Sequence, residues 1–396
     1  MQYTQSDCVR IAKRENNTKR NYLVVNPLQG KHIPVSPSKS LELFDSLAGH
    51  VKAAYPGERI LFIGFAETAT AIGAGVALRV GGYYTQTTRE CLEGAEYLYF
   101  SEEHSHATAQ KLVKNGLEEI VGQIDRIVFV EDEVTTGKTI LNIVTLLKEE
   151  YPSIRSYTAA SILNGMNEEA LKRYEQEQIG LLYLVKTDHD RFPEIADRYT
   201  DMTDRLSRNM VRETASGKGS PKDEKVHGKP QGMQADITGY IVTEGYHNTR
   251  KVVHTSEYEK SVACLCEETA RLLNLQREQE ILILGTEEFM YPGLAVGAFL
   301  EHMGKTVRFH ATTRSPIAIC SGEDYPLKMR YELDSLYEEG RKTFIYNLKR
   351  YDRVVILTDA ADVCKSGLES LLSALKAVGN DDVTVIGWGT LQGLDV

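Results

Sequence analysis

The chain repeats itself. Ile60-Leu-Phe-Ile-Gly64 returns as Ile281-Leu-Ile-Leu-Gly285, Thr87-Thr-Arg89 as Thr312-Thr-Arg314, and Asp125-Arg-Ile-Val-Phe-Val-Glu-Asp132 as Asp352-Arg-Val-Val-Ile-Leu-Thr-Asp359. The offsets are 221, 225 and 227 residues, a small monotonic drift of the kind loop insertions produce. One such match is weak, because apolar strands resemble each other; three in register point to duplication of one fold. Within each half, short β-branched runs such as Ile60–Gly64 and Ile127–Val130 alternate with helically spaced segments such as Thr139–Glu150. Continuous apolar runs suit strands buried on both faces of a parallel sheet. The expected fold is therefore α/β, with two Rossmann-like, doubly wound, parallel-sheet halves and ligands at the carboxyl ends of the strands.

Residues 201–236 separate the repeats. They include Ser216-Gly-Lys-Gly-Ser-Pro-Lys-Asp-Glu-Lys225, which is nearly empty of apolar side chains and reads as a flexible linker. Such a linker lets the halves pack in cis or exchange partners in a homodimer. A hydrophobic content of 42% supports a real core, and a net charge of -10 offers no footprint for nucleic acid. Neither a signal peptide nor an apolar run of membrane-spanning length is apparent, so a cytoplasmic protein without membrane contact is expected. The six cysteines form no CxxC pairs and read as buried free thiols rather than a disulfide framework or zinc site.

The segment Arg126-Ile-Val-Phe-Val-Glu-Asp-Glu-Val-Thr-Thr-Gly-Lys-Thr-Ile140 ends like a nucleotide hydrolase's phosphate loop. That loop needs a glycine five residues before its Gly-Lys-Thr so that the chain wraps a phosphate with its amides turned inward. Asp132 stands there, and its carboxylate would face the phosphate. The alternative is an apolar strand, two acids, and a small-residue turn opening a helix. Glu131 and Asp132 can accept charge-assisted hydrogen bonds from a sugar's 2′- and 3′-hydroxyls. Thr135, Thr136, Gly137, Lys138 and Thr139 offer hydroxyls and free amides at a helix N-terminus, where a monophosphate fits.

Val128-Phe-Val-Glu-Asp-Glu-Val-Thr-Thr-Gly-Lys-Thr139 resembles the phosphoribosyl pyrophosphate (PRPP) motif of type I phosphoribosyltransferases, with Glu133 where an aliphatic residue is commoner. More narrowly, Asn26–Pro34, Gly64–Ala71, Glu102-Glu-His-Ser-His106 and Thr313-Arg-Ser-Pro316 resemble the orotate-phosphoribosyltransferase-like proteins of tellurite-resistance (ter) gene clusters, which carry a TRSP domain. The resemblance implies a phosphoribosyltransferase domain at 1–200, the linker at 201–236, and a degenerate phosphoribosyltransferase-like TRSP domain at 237–396. It implies transfer of 5-phosphoribose from PRPP to a base-like or amide nitrogen with release of pyrophosphate. Mg2+ would be the cofactor, and Glu131 and Asp132 its nearest carboxylates. A PRPP-binding regulatory or sensor protein without turnover is the alternative.

The same resemblance assigns pyrophosphate to the loop holding Glu67, Thr68 and Ala69, with Arg89 as either a pyrophosphate ligand or a surface ion pair. Glu67 is unexpected beside an anion unless it holds magnesium or a substrate amine, and Thr68 or Thr70 would otherwise cap a helix. His104 and His106 fall where the fold keeps a catalytic loop, spanning Glu102 to Lys111. Lys31 and His32 lie in the region that hoods the acceptor, as anion ligands or as surface residues. In the second repeat Thr358 replaces the first acid, and Asp362 and Val363 stand where Thr135 and Thr136 would hold phosphate. That half is expected to have kept its sheet and lost PRPP chemistry. Thr313, Arg314, Ser315 and the segment Glu287–Pro292 remain as an acceptor site or a partner surface.

Overall fold

The computed structural model describes residues 2–15, 20–100, 110–203, 238–275 and 279–389. The histidines of the expected catalytic loop and most of the expected linker lie outside these residues.

The first half opens with an antiparallel ribbon, β1 (Arg10–Lys13) and β2 (Tyr22–Val25). Helix α1 (Pro37–Ala54) follows, started by a proline whose missing N–H costs nothing in the first turn. It buries Leu43, Phe44, Leu47, Ala48 and Val51 along one face. Then come β3 (Ile60–Gly64), α2 (Thr70–Val80), β4 (Tyr83–Gln86) and the hairpin β5 (Tyr97–Phe100) and β6 (Gln110–Val113). The half ends with β7 (Arg126–Val134), α3 (Lys138–Glu150), β8 (Tyr157–Asn164) and β9 (Ile179–Lys186).

The second half repeats this plan. It runs β10 (Gly239–Thr243), β11 (Val253–His254), α4 (Thr255–Leu273), β12 (Glu280–Gly285), α5 (Tyr291–His302) and β13 (Thr306–Ala311). The hairpin β14 (Arg330–Asp334) and β15 (Lys342–Tyr346), then β16 (Arg353–Thr358), α6 (Lys365–Ala377) and β17 (Val383–Trp388) complete it.

Strands β4-β3-β7-β8-β9 form a parallel sheet, and β13-β12-β16-β17-β10 form its counterpart. The duplication is thus real at the level of topology, with one difference. The last position of the second sheet is filled by β10, which arrives from the N-terminal side of its repeat, where the first sheet uses the late strand β9.

The halves exchange edges. β11 pairs antiparallel with β4 (Val253 opposite Tyr84), which extends the first sheet to six strands. Val35 makes the matching bridge to Phe309 of β13, with N···O distances of 2.9 and 2.8 Å. Tyr84 and Phe309 are themselves counterparts in the repeat. One apolar core runs through both halves, joining Phe44 and Ile63 to Ile283, Leu294 and Phe309. The β1–β2 ribbon packs on the second half as well, with Ala12 and Val25 against Ile317, Ala318 and Tyr346. At 201–203 the chain is docked rather than loose: the Met202 N–H donates to Ile319 O at 2.8 Å. Three cysteines, Cys8, Cys266 and Cys320, are buried as expected, whereas Cys91 and Cys264 are exposed. Among the described residues no helix is long and apolar enough to cross a membrane.

Candidate functional site

The site begins where neighbouring strands differ in length. β3 ends at Gly64 opposite Val130, while β7 continues beside β8 to the pair Val134–Asn164. Glu131 and Asp132 therefore stand on a strand end with no β3 neighbour, and a crevice opens between the two strand-to-helix connections. A cavity of about 390 Å³ fills it, lined by Glu67, Thr68, Arg89, Glu131, Asp132, Thr135, Thr136, Gly137 and Thr139. Arg314, Ser315 and Pro316 of the second half line it too.

Burial, with Glu133 next in chain, pushes the Asp132 carboxyl up to about 6. The turn that follows depends on Gly137, the N-cap of α3, whose φ is +69°. A Cβ there would meet Met166 Cε and Tyr174 Oη at 2.5 Å, so glycine meets both a backbone and a packing demand. Tyr174 Oη fixes the turn by donating to Gly137 O at 2.9 Å.

The connection after β3 is held from several sides. The Ala66 N–H donates to Thr87 Oγ1 at 2.8 Å, Gln110 Nε2 donates to Ala66 O at 2.6 Å, and the Ala66–Glu67 peptide is cis. The N-cap of α2 is Ala69, without a side-chain cap, so neither Thr68 nor Thr70 has that role. Thr70 Oγ1 instead donates across to Glu288 O at 2.9 Å.

Glu67 has a different explanation from a magnesium or amine ligand. Its carboxylate pairs with the buried Lys31 ammonium and accepts the Arg314 backbone N–H at 3.1 Å. Lys31 is thus a buried interior cation and not a surface residue; its partner is a carboxylate of the protein. His32 is also buried, which holds its imidazole far down, to about 3 and hence neutral. Its ring meets Tyr346 edge-on at 6.1 Å, a packing role away from the cavity lining. Thr313 is fully buried, its N–H donating to Phe344 O at 2.9 Å. His104 and His106 lie outside the described residues; Gln110 and Lys111, at the end of the expected loop, belong to strand β6.

Sequence reading missed three features. Glu133, the departure from the family pattern, pairs with Arg20 at 2.7 Å and faces His189 Nε2 at 3.3 Å. Arg20 stacks over Tyr22, 4.4 Å from the ring centroid, and Tyr22 Oη meets His189 Nδ1 at 3.0 Å. This cluster, with Thr135 and Thr136, divides the first cavity from a second of about 470 Å³ lined by Lys138, Asn167, Arg173 and His189. The third missed feature is Arg14, on the cavity wall beside Arg20. The basic pairs Lys13-Arg14 and Lys19-Arg20 were the available signal.

The corresponding place in the second half is filled by its own side chains. Asp359, the counterpart of Asp132, accepts from Tyr246 Oη at 2.7 Å and Tyr337 Oη at 2.8 Å and pairs with Arg250 at 2.5 Å. The turn between β14 and β15 closes over the start of α6, where a Cβ on Gly367 would lie 2.2 Å from Ser335 O. Glu287 and Glu288 are buried between the halves: Ser335 Oγ donates to Glu287 at 2.5 Å, and Thr88 Oγ1 to Glu288 at 2.7 Å. These acids form an internal contact, not an open acceptor site.

Residues 8–187 match the family model described as phosphoribosyl transferase, and residues 248–375 match the TRSP domain, described as C-terminal to that transferase. Together the two matches span well over half of the chain. No curated protein matches it. Similar solved structures include adenine phosphoribosyltransferase from Rhodothermus marinus, with 10% identity over 46% of this chain and 96% of that one, at a TM-score of 0.32. The enzyme of the same name from Thermoanaerobacter pseudethanolicus has 16% identity over 46% and 96%, at 0.33. Orotate phosphoribosyltransferase from Aeropyrum pernix has 16% identity over 49% and 94%, at 0.31. With its parallel-sheet fold, its acid pair at a strand end and both family matches in order, this chain belongs to the phosphoribosyl transferase family and carries a C-terminal TRSP domain.

Proposed function

We propose that the first half transfers 5-phosphoribose from PRPP to a nitrogen of a small acceptor, releasing pyrophosphate. The observation that carries this reading is a single cavity lined by the acid pair, the Thr135–Thr139 turn, the Glu67–Thr68 connection and Arg89. In this reading Glu131 and Asp132 accept the ribose hydroxyls, and the turn with the α3 N-terminus holds the 5′-phosphate. Thr68, Ala69 and Arg89 serve the pyrophosphate side. The acceptor lies toward the second cavity, past Arg20 and Glu133.

The bond from C1 to the pyrophosphate oxygen breaks, its electron pair leaving with pyrophosphate. The acceptor nitrogen forms the new bond to C1 and gives up its proton. Positive charge grows on the ribose beside two carboxylates, so fixed geometry and electrostatics supply most of the acceleration. Two carboxylates on one cavity wall fit Mg2+, a hard cation held by oxygens that commonly keeps waters and substrate phosphates as its other ligands. Glu131 and Asp132 would hold it, and it would neutralise charge on the departing pyrophosphate.

The test is pyrophosphate release from PRPP with a panel of heterocyclic bases and amides, or with a small-molecule cell extract. Turnover that disappears in Asp132→Asn supports the transferase. Tight PRPP binding with no release under any condition would replace it with a sensor.

A further inference from the structure

The geometry points to Arg314, carried by the second half, as an anion ligand of the first half's site: its Nη1 takes a pyrophosphate oxygen, so the site is complete only when both halves are docked. The identity of the anion rests on the phosphoribosyl reading above.

Arg314 is held on three sides. Its Nε donates to Glu287 Oε2 at 2.7 Å, its Nη2 to Glu90 Oε1 at 2.5 Å and Glu288 Oε1 at 3.3 Å, and its backbone N–H to Glu67. The side chain is only 9% exposed, yet among the described residues Nη1 has no hydrogen-bond partner, and Arg314 lines the cavity. Buried guanidinium nitrogens are normally satisfied. Because the fork is planar and its other two nitrogens are engaged, Nη1 is fixed in direction before any ligand arrives.

Arg314 does not face the surrounding carboxylates alone: Lys31 also pairs with Glu67, Arg250 with Glu288, and Arg341 with Glu90 and Glu287. Sheet order gives the position. From β7, which carries the 5′-phosphate turn, the sheet runs to β3, followed by Glu67 and Thr68, and then to β4, followed by Arg89. Arg314 touches the β3 connection through Glu67, which is the side away from the turn. A ligand with one phosphate at the β7 end would place a second anionic group there. Arg89 is Arg314's counterpart in the duplication, and the two make the same cross-half contact: the Arg89 N–H donates to Glu288 at 2.9 Å, as that of Arg314 does to Glu67.

The test compares three ligands on the full chain by calorimetry with Mg2+ present: PRPP, inorganic pyrophosphate and ribose 5-phosphate. Arg314→Met should weaken PRPP and pyrophosphate about ten- to hundred-fold, the loss of one charge-assisted hydrogen bond, and leave ribose 5-phosphate unchanged. Arg314→Lys should fall between. If Arg314→Met does not fold, Arg314→Lys and Glu90→Gln decide: the latter removes a negative charge beside the guanidinium and should tighten pyrophosphate a few-fold. Equal losses for all three ligands, or pyrophosphate binding that no variant alters, would overturn the assignment. A wild-type chain that binds pyrophosphate through Arg314 but neither PRPP nor ribose 5-phosphate would uphold the anion site and sink the phosphoribosyl reading instead.

Discussion

Glu67 in the first half accepts the backbone N–H of Arg314 in the second at 3.1 Å, while its carboxylate pairs with Lys31 in a setting where all three side chains are less than 10% exposed. The connection that faces the candidate pyrophosphate is thus built from both halves. Removing one member of a buried pair leaves a charge in a poorly hydrated place. Lys31→Met is expected to destabilise the fold by about 3 kcal/mol, and Lys31→Met with Glu67→Gln to recover much of that loss. Denaturant midpoints of the two single variants and the double variant check this; additive losses would show that the pair is not coupled.

Asp132 supplies a pH dependence with a definite sign. Its folded pKa of about 6 lies above the ordinary 3.8, so the folded state favours the protonated acid. The associated stability is fully present below about pH 4 and is lost as pH rises through about 6. Binding runs the other way, because gripping a diol needs the carboxylate. PRPP affinity is expected to climb between pH 5 and 7, in addition to the phosphates' own titration, and Asp132→Asn should remove that extra climb. Calorimetric pH series on both proteins make the comparison, and superimposable curves would count against the diol role.

Gly137 sits at φ +69° with Met166 and Tyr174 against its Cα. Gly137→Ala is expected to cost about 1 to 2 kcal/mol in the turn and to lower PRPP affinity by about tenfold or more. An unaltered dissociation constant would show that the turn does not hold the phosphate.

Asp359 is engaged by Arg250, Tyr246 and Tyr337, and the β14–β15 turn covers the start of α6. The second half should therefore bind no PRPP, and the full chain should bind one equivalent. Asp359→Asn is expected to keep that stoichiometry while lowering stability by about 1 to 3 kcal/mol, the effect of disturbing a buried, hydrogen-bonded charge. A second equivalent in calorimetry would contradict the closed-site description.

The sequence by itself determined whatever depends on neighbours in the chain. The apolar runs at Ile60–Gly64 and Ile127–Val130 became sheet-centre strands because their composition suits burial on both faces. Gly137 marked its turn because only a residue without Cβ fits there, and the repeat registered two similar sheets. What only the tertiary structure decided are contacts between side chains far apart in sequence. Nothing local foretells that Arg314 meets Glu67, that Glu133 turns to Arg20 and His189, or that Lys31 lies inside. A lysine or glutamate alone reads as a solvated surface residue; only docking of the two halves removes water and makes pairing obligatory. The second half's departure from the phosphate-turn pattern was legible in Asp362 and Val363, but the engagement of Asp359 by Tyr246, Arg250 and Tyr337 required the fold to bring those three together.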